Sequence, residues 1–158
     1  MGVHPTVERF LVEWALDEFV VGHLLVFKIY HYGPDLEENI AVGSIAQDEM
    51  GHTRMLLQLL TENEKEMDRI IYSKLPQEMT VSTLAEAWKD MDWPYIVVKE
   101  MLYDTADKVR FDFFAQLPDE KLKTIQSMMK REENVHRQHW HEWIKILSSD
   151  SKGRRRLQ

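Results

Sequence analysis

The stretch Gly33-Pro34-Asp35-Leu36-Glu37-Glu38-Asn39-Ile40-Ala41-Val42-Gly43-Ser44-Ile45-Ala46-Gln47-Asp48-Glu49-Met50-Gly51-His52 holds a turn and then a helix. Gly33-Pro34-Asp35 breaks the helical pattern before it, because glycine and proline interrupt an α-helix. Beyond it, Ile45, Glu49, His52, Leu56 and Leu59 recur at spacings of four, three, four and three, which places them on one helix face. That face should meet the core, yet Glu49 and His52 sit in the middle of it. An ionised carboxylate buried without a partner costs several kcal/mol, so it has to be paired or coordinated.

The anomaly recurs along the chain. Near the C-terminus the stripe Met129, Glu133, His136, Trp140, Trp143 and Leu147 carries a second Glu-x-x-His. Before the turn, Leu11, Trp14, Glu18, Val21 and Leu25 share a face with Glu18 at its centre. A further helical stretch presents Val97, Glu100, Tyr103 or Asp104, Asp107 and Phe111, a polar-rich core face. A single Glu-x-x-His is weak evidence, since composition alone supplies roughly 0.7 such pairs here. A bundle that holds two metal ions needs one Glu from each of two helices and a Glu-x-x-His from each of the other two. That inventory is present.

Strand signals are nearly absent, and the turns fall at few points. The reading is four long helices near residues 6–32, 36–62, 94–116 and 119–148. Pro94 suits a first helical turn, with Asp92 as its cap. Leu117-Pro118-Asp119 separates the last two helices. The segment 63–93 has a charged stretch from Glu64 to Arg69, a break at Pro76 and a short helix expected from Ser82 or Thr83 to about Lys89. Tight turns make each helix pair an antiparallel hairpin, and the long segment crosses between them. The expected fold is therefore all-α, a ferritin-like four-helix bundle over residues 1–148. Residues 149–158, with Lys152, Arg154, Arg155 and Arg156, are expected to form a basic, solvated and disordered tail.

Height along the helices gives a second test. Glu18 and Glu49 lie equally far from the first turn, about 20 Å along each helix at a rise of about 1.5 Å per residue. Glu100 and Glu133 are level to within one turn across the second hairpin. The candidate metal ligands are therefore Glu18, Glu49, His52, Glu100, Glu133 and His136. Their sequence neighbours compete with them: Asp17 with Glu18, Asp48 with Glu49, Glu132 with Glu133, and Asp104 or Asp107 with Glu100. His23 and His31 are expected to be structural or solvent-facing. His139 and His141 are expected in exposed or packing roles, and Tyr103, Met101 and the tryptophans of the last long helix in the core rather than in a substrate pocket.

Composition excludes several classes. The 158 residues suit one domain, and a net charge of −7 argues against nucleic-acid binding. No cysteine is present, which removes disulfides, iron–sulfur clusters and thiol catalysis. No apolar run reaches a membrane span and the N-terminus lacks a signal-peptide pattern, so a cytoplasmic protein is expected. Mixed carboxylate and imidazole ligation suits two ions of iron or of manganese.

The stretch from Gly33 through Thr53-Arg54 resembles the turn and second helix of the phenylacetic acid catabolic family, the ferritin-like subunits of phenylacetyl-CoA epoxygenase. Glu86-Ala87-Trp88 through Asp104 and Glu132-Glu133-Asn134-Val135-His136 fit the same family. The resemblance implies a di-iron oxygenase subunit, with Glu49 and Glu133 bridging, an external reductase and an acyl-CoA substrate. It implies a homodimer or a hetero-oligomer with related subunits. The family also contains a structural subunit that has lost metal ligands, and the local wording is similar to it. Yet His52 and His136 are kept here, and the chain is shorter than usual members. A non-catalytic partner subunit and a small iron-handling or peroxide-removing protein are thus the rival expectations.

Overall fold

The computed structural model describes residues 4–87 and 91–157. Its helices are α1 (Pro5–Tyr32), α2 (Leu36–Leu57), α3 (Glu64–Tyr72), α4 (Trp93–Phe114), α5 (Glu120–Ser149) and α6 (Ser151–Arg156), with a 3₁₀ turn at Pro76–Glu78. Among the described residues there is no strand. The fold is all-α, with the ferritin-like order of two long-helix pairs separated by a crossover that carries a short helix.

Short acidic or amide side chains set where the helices begin. Asp35 accepts from the Glu38 amide at 2.8 Å, Asp92 from Tyr95 at 3.0 Å and Asp119 from Leu122 at 3.0 Å. Asn63 does the same for Glu66 at 3.2 Å. Each cap satisfies a backbone donor that the helix leaves open and is worth about 0.5–2 kcal/mol.

The chain forms two compact units. The first comprises Met1–His31 and Asp35–Glu86, the second Tyr32–Pro34 and Ala87–Gln158. In the first, α1 and α2 run antiparallel: Glu18 stands beside His52, and Gly22 beside Ala46. The crossover is tied back to α1 where the Ser82 amide donates to Asp17 Oδ1 at 2.6 Å. In the second unit α4 and α5 are antiparallel, with Phe111 opposite Gln126 and Trp93 packed on Trp140 and Trp143. Trp140, Tyr103, Phe111 and Met129 are fully buried there.

Three sequence expectations need correction. Helix α2 stops at Leu57 rather than near residue 62. Thr61 folds back on the Leu57 carbonyl through its amide at 3.0 Å and its hydroxyl at 2.9 Å, and Asn63 then starts α3. The short crossover helix is therefore α3, in the charged stretch. Residues 83–86 make only a turn, with Glu86 bonded to the Ser82 carbonyl at 3.2 Å. The end expected there, Lys89, lies outside the described residues.

The basic tail, expected to be disordered, is helical from Ser151 to Arg156. Asp150 caps it, accepting from Lys152 and Gly153, each at 2.9 Å. Gly153 is buried so closely that a β-carbon would fall 2.1 Å from the Leu147 carbonyl oxygen. Arg156 Nε reaches Asp92 at 2.7 Å, which ties the tail to the start of α4.

Candidate metal centre

Each unit gathers one cluster of ligand-type side chains. In the first, Glu18 comes from α1, and Glu49 and His52 come from α2. In the second, Asp104 comes from α4, and Glu133 and His136 from α5. Within each cluster, one ligand atom per residue lies within 4.8 Å of the others. All six residues are buried, none more than 1% exposed. The helix period places each Glu-x-x-His pair on one face, and the antiparallel neighbour supplies the third group.

The spacings suit a shared cation. His52 Nδ1 lies 3.4 Å from Glu49 Oε2 and 3.5 Å from Glu18 Oε2. His136 Nδ1 lies 3.8 Å from Glu133 Oε1. These separations are long for N–H···O hydrogen bonds, which centre near 2.9 Å. Donors about 2.1 Å from one metal ion stand roughly 3.0–3.5 Å apart when adjacent, which both His52 separations match and the His136 separation slightly exceeds. Carboxylate oxygens and imidazole nitrogens without any thiolate form a donor set for iron or manganese. The residues present fit such ions.

Electrostatics points the same way in the first unit. Burial, and after it the charge of Glu49 and a hydrogen bond with it, raise the Glu18 pKa to about 7, against the opposing effect of His52. A cation at this cluster would remove that conflict by drawing the carboxylates into their charged form. Trp14 Nε1 donates to Glu18 Oε1 at 2.6 Å, which fixes the rotamer of the carboxylate.

Glu18, Glu49 and His52 come together in one unit, Glu133 and His136 in the other. The neighbours Asp48 and Glu132 are only half-buried, whereas Glu49 and Glu133 are fully so. Glu100 is buried, but its Oε1 takes the Lys99 ammonium at 2.9 Å. Asp104, one turn further along α4, is the carboxylate grouped with Glu133 and His136. Asp107 accepts from Arg110 at 2.6 Å, and Arg110 also reaches the Tyr103 hydroxyl at 3.2 Å. Asp17 serves the crossover. His23 is exposed and packs against Phe19 and Phe27; His31 and His141 are exposed, and His139 is half-buried.

Sequence reasoning missed two side chains. Trp14 lies four residues before Glu18 on the stripe already drawn, and that spacing was the available signal for a hydrogen bond. Lys99 gave none, because adjacent helical residues seldom face each other. A cavity of about 220 Å³ lies among α1, α2 and α3 of the first unit. Its walls include Phe19, Met50 and Thr53, each next in sequence to a cluster residue, and Met67, Ile71 and Tyr72 of α3.

An all-α chain with a buried carboxylate and Glu-x-x-His cluster in each of two antiparallel helix pairs is a ferritin-like carboxylate protein. Residues 3–158 match the family described as phenylacetic acid catabolic protein, and the chain belongs to that family. Comparison with curated proteins finds no match. Among the described residues no helix is long and apolar enough to cross a membrane.

Proposed function

We propose that this chain is a di-iron carboxylate protein of aromatic acyl-CoA degradation, acting as an oxygenase subunit. The carrying observation is the repeated cluster: Glu18, Glu49 and His52 in one unit, and Asp104, Glu133 and His136 in the other. Each would supply ligands to one ion, with manganese the alternative metal. Glu100 belongs to this reading as a further ligand through the carboxylate oxygen that Lys99 does not hold.

A pair of iron ions in carboxylate and imidazole ligation supplies dioxygen activation. The protein's own residues set the conditions for it. Trp14 orients Glu18, and the two histidines present Nδ1 toward the glutamate three residues before them. Leu11 and Val21 flank Glu18 along α1, and Met129 and Trp140 flank the α5 pair, all essentially without solvent exposure. Such walls keep bulk water from the ligands and strengthen every charge interaction among them. The sequence holds no flavin or nicotinamide motif, so electrons would come from a separate reductase. Assembly as a homodimer or with related subunits in the cytoplasm completes the reading.

A second reading has its own observation. Lys99 places a buried ammonium on Glu100 at 2.9 Å, with its nitrogen 5.5 Å from the Tyr103 ring centre. A fixed cation among the acidic groups of α4 does part of what a metal would do. That favours a structural partner subunit in which α4 has given up its metal role.

Iron-loaded protein supplied with a reductant and phenylacetyl-CoA separates the readings. The oxygenase reading expects substrate-dependent dioxygen uptake and a product heavier by one oxygen atom. Uptake only after a related subunit is added supports the partner reading. Ferrous oxidation without any substrate dependence points to iron handling.

A further inference from the structure

We propose that Gly22 is a positioning residue for the first cluster: its missing side chain sets the separation of α1 and α2 at the height of Glu49. The proposal rests on the reading of that cluster as a metal site.

Gly22 is buried in the middle of α1, one turn beyond Glu18. A β-carbon there would stand 2.8 Å from the Ala46 carbonyl oxygen, 3.0 Å from Glu49 Cβ and 3.2 Å from Met50 Cγ. The first of these is backbone and cannot rotate aside. The second is the root of a proposed ligand. A side chain at position 22 therefore has to push α2 away, and Glu49 and His52 travel with it. Glu18 remains on α1, so the distances that define the cluster change together. The displacement needed is a few tenths of an ångström, which is large against the tolerance of metal–ligand bonds, roughly 0.2 Å.

Glycine weakens a helix relative to alanine, so its presence here runs against local propensity. Gly43 shows that the requirement is specific to position 22. It lies in α2 with nothing within 4 Å of its would-be β-carbon. Alanine there costs no space. If Gly22 served packing alone, replacing it would lower stability and leave the metal ligands' relative geometry intact once the protein had folded.

The test uses Co²⁺ as the probe, because its visible absorption reports the ligand set. Wild type, Gly22→Ala and Gly43→Ala are titrated under the same conditions, and each is checked for helix content without metal. Wild type and Gly43→Ala should bind two ions alike. Gly22→Ala should keep its helix content, bind one ion at least about tenfold more weakly and show an altered absorption for that ion. Where Gly22→Ala alone does not fold, the pair Gly22→Ala/Gly43→Ala is compared with Gly43→Ala, whose added helix propensity offsets part of the loss. Unchanged Co²⁺ binding and spectrum in folded Gly22→Ala overturn the proposal. So does failure to fold in both backgrounds, which would assign Gly22 to global packing. A wild type that takes up no Co²⁺ overturns the metal reading itself, and the proposal falls with it.

Discussion

Trp14 Nε1 donates a hydrogen bond to Glu18 Oε1 at 2.6 Å, and both residues are buried on one face of α1. The indole N–H reaches this carboxylate from one turn earlier on the same helix. Trp14→Phe keeps the ring bulk and removes the N–H. The loss should cost about 1–3 kcal/mol of stability, read from urea unfolding of the metal-free protein. Metal affinity at the first cluster should fall by about 10-fold or more, since the groups that orient ligands control it strongly. Unchanged stability and affinity would show that the bond does not orient Glu18.

The raised pKa of Glu18 sets a pH dependence. In the unfolded chain the group titrates near 4.5; in the folded chain burial and Glu49 hold its proton to about 7. Between those values the folded state carries a proton that the unfolded state has lost, so folding weakens as pH rises. The contribution is fully present below pH 4.5 and is lost through about pH 7, on the order of 3 kcal/mol in all. The urea midpoint of metal-free protein should drop from pH 5 to pH 7.5, and Glu18→Gln should flatten that drop. Metal binding should tighten over the same window, because the ion displaces the proton. A Glu18→Gln profile that parallels wild type contradicts this account.

Lys99 and Glu100 form a buried ion pair, 4% and 1% exposed, at 2.9 Å. Removing one partner of such a pair strands a charge, at a cost of about 3–5 kcal/mol. Lys99→Met should therefore destabilise strongly, and Lys99→Met/Glu100→Gln should recover most of the loss. The same variant separates the two functional readings. If α4 has given up its metal role, Lys99→Met should raise metal uptake; if Asp104 already serves, uptake should stay as in wild type. Thermal melting and metal content decide both points.

Asp92 has two roles, capping α4 through Tyr95 and holding Arg156 of α6. Asp92→Ala should cost about 1 kcal/mol through the lost cap. Arg156→Ala should cost less, about 0–1 kcal/mol, because that pair is partly exposed and screened by salt. Amide exchange should show α6 opening in Arg156→Ala while α4 stays protected. Asp150 is held below the ordinary carboxylate range chiefly by the Gly153 amide, so α6 should also loosen as the pH falls through that lowered value.

The helix pattern was legible because it is a local property. Stripes drawn through Ile45, Leu56, Met129 and Trp140 favoured Glu49 over Asp48 and Glu133 over Glu132, since a one-residue shift turns a side chain by about 100°, and the burial of each pair agrees. Counting from a tight turn placed Glu18 level with Glu49 for the same reason. The α4 carboxylate was harder. Glu100, Asp104 and Asp107 are all buried, and levelling across a turn resolves no better than about one helical turn, the distance from Glu100 to Asp104. The choice depends on Lys99, whose contact with its own neighbour no periodicity announces. The ordered tail was missed for a similar reason: its partner Asp92 lies far away in sequence, and the buried Gly153 reads as an ordinary loop residue until its surroundings are known.

Each unit is proposed to hold one metal ion, the first with Glu18, Glu49 and His52 and the second with Asp104, Glu133 and His136. The most direct measurement is iron content per chain after purification from iron-supplemented culture, for wild type, Glu49→Ala and His136→Ala. The account predicts about two irons in wild type and a loss of about one in each variant, with helix content kept. Wild-type protein that stays iron-free even after anaerobic reconstitution, or variants that keep the full complement, would contradict it.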